Sequence, residues 1–200
     1  MPYYYSRIVA TILLVGLTGC ASTKFETTGS SPKQALCESK DAHVSALVLW
    51  GTHWRADQKD IPLREASAQQ GIEEFFAKSG CYSQVQILRT VEDRSAIELS
   101  ENDIQQLAVA SSIKPSKLLI IVVREFGPIV KILSSAALVE GGTEVTLDIQ
   151  ANNLNPQETL ADFTAHWKNG GPGVIKGVKN LAEDMRTALQ AALKPSGGQL

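Results

Sequence analysis

Short apolar runs and amphipathic segments alternate along residues 36–195. Strands are predicted where β-branched residues run together or alternate with polar ones, and helices where apolar residues recur every three or four positions. The segment 63–78, for example, places Ile72, Phe75 and Phe76 on one helical stripe. The predicted elements are strands at 44–50, 84–89, 117–124, 129–139, 143–152 and 159–168, and helices at 63–78, 100–113 and 174–193.

Turn and capping residues set the expected boundaries. Gly127-Pro128 is expected to interrupt the apolar run that starts at Lys117, and Glu140-Gly141-Gly142 to form a hairpin turn. The Gly-Gly-Pro-Gly sequence at 170–173 is expected to end the last strand. Ser100-Glu-Asn-Asp103 indicates a capping box at the start of the second helix.

The element order decides the fold class. It is β-α-β-α-β, followed by an antiparallel β meander and a C-terminal helix. Strands joined through helices pair in parallel, whereas strands joined by tight turns pair antiparallel. The sequence therefore predicts a mixed α/β (α+β) fold with a mixed sheet flanked by helices. In the last strand, alternation assigns Phe163 and Trp167 to the core face and His166 to the opposite face.

A separate apolar run occupies residues 8–17, directly after Arg7. It is too short to span a bilayer as a stable helix and has the length typical of a signal-peptide core. It ends in Leu17-Thr18-Gly19-Cys20, which resembles the lipobox of bacterial lipoproteins. That resemblance implies that residues 1–19 are a signal peptide and that Cys20 carries the lipid, including palmitate. The alternative is a buried N-terminal helix with a chance cysteine.

The composition changes after Cys20. Residues 21–34 are rich in Ser, Thr, Lys, Gly and Pro, which predicts a flexible tether over 20–35. One α/β domain at 36–195 and a tail at 196–200 would follow. Ala21, where an Asp would resemble an inner-membrane retention signal, favours the outer membrane, with the domain facing the periplasm.

The net charge and the motifs of the sequence limit the classes of ligand and partner that are expected. The net charge of −2 gives no indication of a nucleic-acid partner, and no metal-ligand set or cofactor motif is present in the sequence.

Cys37 and Cys81 would reach an oxidising compartment, where a disulfide is expected. By chain entropy such a bridge, closing about 45 residues, would contribute roughly 4 kcal/mol. Two buried free thiols are the alternative.

The most unusual polar stretch follows the first predicted strand, at the end where open α/β sheets place ligand sites. In one interpretation its histidine acts as an acid or base oriented by an aspartate, while its tryptophans stack on a sugar or a peptide. In the other, the first tryptophan lies in the core, the second pins the loop, and an Arg–Asp pair is solvated. On the question of catalysis, the second, non-catalytic interpretation is favoured. No catalytic residue is therefore assigned, and the protein is expected not to be an enzyme. The candidate binding loop consists of Trp50, His53, Trp54, Arg55 and Asp57.

A lipobox followed by this element order resembles a group of envelope lipoproteins whose α/β domain is like the N-terminal domain of the Tol-Pal propeller protein. The group includes the curli secretion pore, lipoprotein activators of penicillin-binding proteins and an exopolysaccharide-export lipoprotein. The features that carry the resemblance are 44–50, the helix at 63–78, 85–89, 118–124, the hairpin around 140–142 and the C-terminal helix.

The resemblance implies a non-catalytic accessory or assembly lipoprotein, held at the membrane by its lipid and binding an envelope protein or glycan. One alternative is a lipid-anchored cell-wall or glycan enzyme using His53. Another is a homo-oligomeric ring component of an envelope export or secretion system.

Overall fold

The computed structural model describes residues 21–32, 34–38, 43–89, 100–133 and 138–194. Over these ranges the chain forms six strands and three α-helices. In chain order they are β1 (Ser22–Ser30), β2 (Ser45–Thr52), α1 (Ile61–Ser79), β3 (Gln84–Arg89), α2 (Glu101–Ala110), β4 (Lys117–Leu133), β5 (Leu138–Leu154), β6 (Gln157–Pro172) and, after a 3₁₀ turn at Val178–Asn180, α3 (Leu181–Leu193).

The six strands form one mixed sheet in the order β1-β6-β5-β4-β2-β3. Strand β2 pairs in parallel with β3 and with β4, whereas β4, β5, β6 and β1 pair antiparallel in succession. The parallel pairs are those whose connections contain helices, since a crossover needs the length that a helix provides. The predicted mixed α/β fold is confirmed.

Helices cover the two faces of the sheet unequally. Helices α1 and α3 pack over one face, where Trp50, Ile121, Ile149 and Phe163 are buried with the apolar stripes of both helices. Helix α2 covers part of the other face, over a smaller cluster on β2 and β4. Strand β2 and the first half of β4 are therefore buried on both sides, which explains their unbroken apolar runs. Apolar and polar residues alternate along β5 and β6 because one face of these strands is in the core and the other is polar.

Two glycine-based predictions are wrong. Strand β4 passes through Gly127-Pro128 in regular register and continues to Leu133, and its β-bulge lies earlier, between Val123 and Glu125. The Glu140-Gly141-Gly142 sequence lies inside β5, where Gly141 pairs with Val130 and with Gly171. The hairpin connection itself, at 134–137, lies outside the described residues.

Close packing of backbones is the reason for glycine at this point. A Cβ on Gly142 would meet the backbone of Asn169 and Gly170 on β6, and a Cβ on Gly141 would meet the carbonyl oxygen of Val174. A glycine pair inside a strand often marks such an approach, and the sequence alone does not distinguish it from a turn.

Three further boundaries differ from the predicted ones. Strand β6 continues to Pro172, so the glycines at 170–171 do not end it. Helix α3 begins at Leu181 and not at 174, because the backbone of Gly177 is extended and a helix cannot pass through it. Helix α2 ends at Ala110 and does not reach 113. The capping box between Ser100 and Asp103 is confirmed.

The prediction of a flexible tether is wrong for Ser22–Ser30, which form the edge strand β1. This strand pairs antiparallel with β6, with Phe25 opposite Trp167, and Phe25 packs against the main core. Polar composition is compatible with an edge strand, because its outer side is solvated, and its threonines are good strand formers. One residue, Ala21, separates β1 from Cys20.

The expected disulfide is present between Cys37 and Cys81, whose Cα atoms are 4.9 Å apart. Both cysteines are buried. The bridge joins the segment after β1 to the end of α1, and the Cys37 amide also donates to the carbonyl of Leu193 at 3.0 Å. It therefore fixes the N-terminal segment against the helices.

Replacing both Cys37 and Cys81 with Ala should lower the free energy of unfolding by about 2–4 kcal/mol, because the unfolded chain loses a constraint that spans 44 residues. Guanidinium denaturation without reductant measures the change. Dithiothreitol should destabilise the wild type to a similar degree and leave the variant unchanged. A variant as stable as the wild type would show that the bridge does not constrain the chain.

Helices α1 and α3 cross at Gly71, where an added Cβ would lie against the carbonyl oxygen of Ala182 and the side chain of Met185. In an open helix, glycine-to-alanine substitution stabilises by about 1 kcal/mol. Here we expect Gly71→Ala to destabilise by about 1–3 kcal/mol, because the two helices must separate. Urea denaturation checks the sign. Gln70→Ala, at an exposed position of the same helix, is the matched control and should change stability little. A stabilised Gly71→Ala protein would contradict the close crossing.

Candidate functional site

The loop between β2 and α1 begins at the carboxyl end of β2, where the parallel pairing of β2 with β4 also ends. The His53 amide donates to the carbonyl of Val123 at 2.9 Å, which extends the pairing of β2 with β4 by one bond. Beyond this bond the chain leaves the sheet and reaches α1 at Ile61. The loop predicted to bind a ligand is therefore at the edge where open α/β sheets place their ligand sites.

Trp50 does not belong to the exposed part of this region. Its side chain is only 2% exposed and lies in the core under the helices. The guanidinium of Arg89 lies 5.3 Å from the centre of its ring. The interpretation of Trp50 as a ligand-stacking residue is wrong, because a buried ring cannot reach a ligand, and the alternative that it ends the strand in the core is correct.

The position of Trp54 is fixed by the carboxylate of Glu65 on α1. Glu65 Oε1 accepts hydrogen bonds from Trp54 Nε1 at 3.3 Å and from Thr52 Oγ1 at 3.2 Å, while Oε2 pairs with Arg89 at 2.7 Å. Burial alone would raise the pKa of Glu65, but these donors together outweigh it and hold the pKa below its ordinary value. The half-buried indole is therefore pinned to the helix, as the second interpretation of the loop expected.

Arg55 forms a solvated cluster with two carboxylates. Its Nη1 donates to Glu125 Oε1 at 3.0 Å and its Nε pairs with Asp57 Oδ1 at 3.2 Å. Glu125 and then Asp57 raise the pKa of Arg55 through their charge. Because Asp57 lies with Arg55, it does not orient the exposed His53, and no hydrogen bond joins these two side chains in the part of the chain that the structure describes. The acid–base arrangement considered for the loop is not formed.

A shallow pocket of about 540 Å³ opens beside this loop, and we call it the loop pocket. The bulge in β4 places the consecutive residues Arg124 and Glu125 along its wall. Strands β5 and β6 supply threonine hydroxyls from the polar face of the sheet. Its lining residues are His53, Trp54, Arg55, Ala56, Arg124, Glu125, Thr146 and Thr164.

The charged side chains in and under the loop pocket are paired with one another. Asp148, only 8% exposed, accepts hydrogen bonds from Arg124 at 3.0 Å and from Thr164 at 2.7 Å. Glu125 pairs with Arg55 and also accepts from Thr146 at 3.4 Å. Two guanidinium groups thus face two carboxylates, and Asp57 adds a third carboxylate beside Arg55. Such a site offers donors, acceptors and an aromatic ring to a polar ligand without a net positive charge that would select an anion.

Sequence reasoning found the loop but not the rest of the pocket. Thr146, Asp148 and Thr164 could have been assigned to a polar sheet face, since they alternate with apolar residues. Their meeting with the loop depends on the strand order, which places Asp148 directly opposite Thr164. Arg124 follows the apolar run of β4, and nothing in the sequence indicates its ion pair with Asp148 or the bulge that orients it.

The polar face continues beyond the loop pocket. His166 lies on this face, as predicted, and its Nε2 is 2.9 Å from Glu144 Oε1, while Lys168 pairs with Glu140 at 2.5 Å. Trp167 is buried on the opposite face, also as predicted. Among the residues that the structure describes, no three His, Cys, Asp or Glu side chains are grouped to hold a metal. Within the same ranges, no helix has the length and apolar character needed to cross a membrane.

No protein-family model matches the sequence, and no curated protein matches it. Among solved structures, the chain is similar to the PelC dodecamer from Paraburkholderia phytofirmans, with 10% identity and a TM-score of 0.43 over 88% of this chain and 100% of that chain. It is also similar to lipoprotein GNA1162 from Neisseria meningitidis, with 14% identity and a TM-score of 0.39 over 76% and 99% of the two chains. A third is the hypothetical protein CT253 from Chlamydia trachomatis, with 7% identity and a TM-score of 0.44 over 76% and 99%. These identities and TM-scores are too low to assign this chain a family or a function.

Replacing Glu65 with Gln should destabilise the protein at neutral pH and have a smaller effect in acid. The pKa of Glu65 is lowered by folding, so its contribution is present above the unfolded value of about 4.3 and is lost as the pH falls through the lower folded value. Urea denaturation at pH 7 and pH 3 of wild type and variant measures this difference. Glu73→Gln, at an exposed position of the same helix, is the control and should differ from wild type by a small, nearly constant amount. A Glu65→Gln effect that does not depend on pH would contradict the proposed role of the carboxylate.

Proposed function

We propose that this chain is a lipid-anchored accessory lipoprotein of the bacterial cell envelope that binds a protein or glycan partner without catalysing a reaction. The observation that carries the proposal is the Leu17-Thr18-Gly19-Cys20 sequence, followed after a single residue by a folded α/β domain. Attachment through Cys20 would place the domain at the periplasmic face of the outer membrane.

The loop pocket supports binding as the activity of the domain. It combines a fixed aromatic ring with arginine, threonine and carboxylate groups whose positions are set by hydrogen bonds to one another. Trp and Arg are the side chains most often found at energetically dominant positions of binding surfaces. A sugar ring or a peptide backbone offers the matching features, a flat face for Trp54 and hydrogen-bonding groups for Arg124 and Thr164.

A non-catalytic role agrees with the arrangement of His53. This residue is the candidate for acid–base chemistry in the loop, and Asp57, its expected partner, is engaged by Arg55. General acid–base catalysis by histidine normally depends on a group that sets its tautomer and orientation. Because His53 lines the loop pocket, we expect His53→Ala to lower the cellular role of the protein only as far as it lowers partner binding. Loss of that role with partner binding preserved would favour the enzyme alternative.

Affinity purification of the full-length protein from detergent-solubilised envelopes tests the binding proposal. Arg124→Ala should reduce recovery of a specific partner about tenfold or more, as expected for a central arginine, and Trp54→Ala should act in the same direction. Arg186→Ala is the matched control, because Arg186 is also a salt-bridged arginine but lies on α3. Equal recovery with Arg124→Ala and Arg186→Ala would contradict the loop pocket as the binding site.

Lipid labelling tests the anchor independently. The wild type should incorporate labelled palmitate and fractionate with membranes, and Cys20→Ala should do neither. Labelling that persists in Cys20→Ala would contradict the assignment of Cys20.

A further inference from the structure

We infer that the end of the sheet next to Ala21 is a membrane-contacting surface, an inference that rests on the proposed attachment through Cys20. The surface consists of Val130, near the end of β4, and of Ile175 and Val178, in the segment before α3. We call these three residues the anchor-side patch. Its occupant is the lipid surface that holds the chain.

The strand register places the start of β1 and the anchor-side patch at the same end of the sheet. Ser22 lies opposite Gly170 on β6, and Gly170 lies opposite Gly142 on β5. Gly142 in turn lies opposite Ile129, the neighbour of Val130 on β4. These paired residues form one row across β1, β6, β5 and β4, so Ser22 and the anchor-side patch lie at the same level of the sheet. At about 4.8 Å per strand, the distance from β1 to β4 is about 15 Å.

The direction of β1 then fixes where the anchor would lie. Because β1 is antiparallel to β6, the chain before Ser22 runs in the direction in which β6 continues from Gly170 to Pro172. Consecutive Cα atoms are about 3.8 Å apart, so Cys20 is within one such step of Ala21. A lipid on Cys20 would therefore hold this end of the sheet at the membrane, without the reach that a long tether would give.

The side chains of the anchor-side patch are exposed, whereas most aliphatic side chains in the described part of this domain are buried. Ile175 is 85% exposed, Val130 66% and Val178 40%. Gly141 is the cross-strand partner of Val130, and the carbonyl of Val174 packs against it, so the segment that carries Ile175 passes beside Val130. Neighbouring exposed aliphatic residues are typical of a surface that enters the boundary between headgroups and acyl chains.

Two exposed lysines lie on the segments that bring the chain to this end of the sheet. Lys24 is two residues beyond Ser22, and Lys179 directly follows Val178, and both are exposed. Lysines at this level would meet anionic headgroups while the aliphatic side chains contact the acyl boundary. A second copy of the chain could also cover aliphatic side chains, but it would not account for their position at the end that bears Cys20.

A site-specific fluorescent label tests the contact in the mature, lipidated protein. Ile175→Cys and Val130→Cys each introduce one free thiol, since Cys20 would be blocked by lipid and Cys37 and Cys81 form a disulfide. Val109→Cys is the matched control, because Val109 is an 87% exposed valine on α2. Each protein is labelled with bimane and reconstituted in vesicles of phosphatidylethanolamine and phosphatidylglycerol that carry a nitroxide near the headgroup. The lipid on Cys20 is measured by mass spectrometry in the same samples.

Bimane at 175 and at 130 should lose most of its fluorescence to the lipid-borne nitroxide, while bimane at 109 should keep it. Equal, weak quenching at 175 and 109 in protein that carries the lipid would overturn the inference and leave the proposed function standing. A label at 175 that neither the lipid nitroxide nor a water-soluble quencher reaches would show that a second copy covers the patch, and would also overturn it. Absence of lipid on Cys20 would overturn the proposed anchor and the inference together.

Discussion

The packing of α1 and α3 against one apolar face of the sheet is the interaction on which the other features of this structure depend. Both helices contribute buried stripes to the same core, and they approach each other closely at Gly71. Because α1 also carries Glu65, its position fixes the loop that precedes it. The same core receives Phe25 of β1, and the disulfide joins the segment after β1 to the end of α1. Helix packing thus positions both the candidate site and the N-terminal strand.

The opposite face of the sheet is divided into an apolar part and a polar part. Over β2 and the first half of β4 it is apolar and covered by α2, whereas over β5 and β6 it is polar. The loop pocket forms near this boundary, where β4 bulges and changes from apolar residues to Arg124 and Glu125. A buried carboxylate, Asp148, is tolerated there because Arg124 and Thr164 satisfy it. The polar groups therefore have fixed positions before any partner binds, which lowers the entropic cost of binding.

Strand β1 changes how far the proposed lipid anchor would restrict the orientation of the domain. A chain tethered through some fifteen flexible residues would sample many orientations above a membrane. With one residue between Cys20 and β1, the orientation of the domain would instead follow from the sheet itself. The loop pocket begins after the carboxyl end of β2, and Trp50 of β2 is in register with Ile121 of β4, well before Val130 along that strand. The pocket and the anchor-side patch thus occupy separate positions along β4, so the proposed membrane contact and the proposed partner binding would not compete.

The sequence by itself determined the features that depend on local periodicity and local chemistry. Continuous apolar runs marked β2 and the first half of β4, clean alternation marked the core face of β5 and β6 around Phe163 and Trp167, and Ser100 and Asp103 marked the start of α2. These signals are reliable because a residue's face in a strand or helix follows from its spacing alone. The tertiary structure decided everything that depends on which segments meet. A serine- and threonine-rich segment forms β1 because it can pair with the free edge of β6. Gly141 and Gly142 lie inside a strand because backbone atoms of neighbouring segments pack where a Cβ would otherwise lie. Trp50 became core because α1 and α3 cover its face of β2, while Trp54, beyond the end of that strand, remained at the pocket and bonds to Glu65.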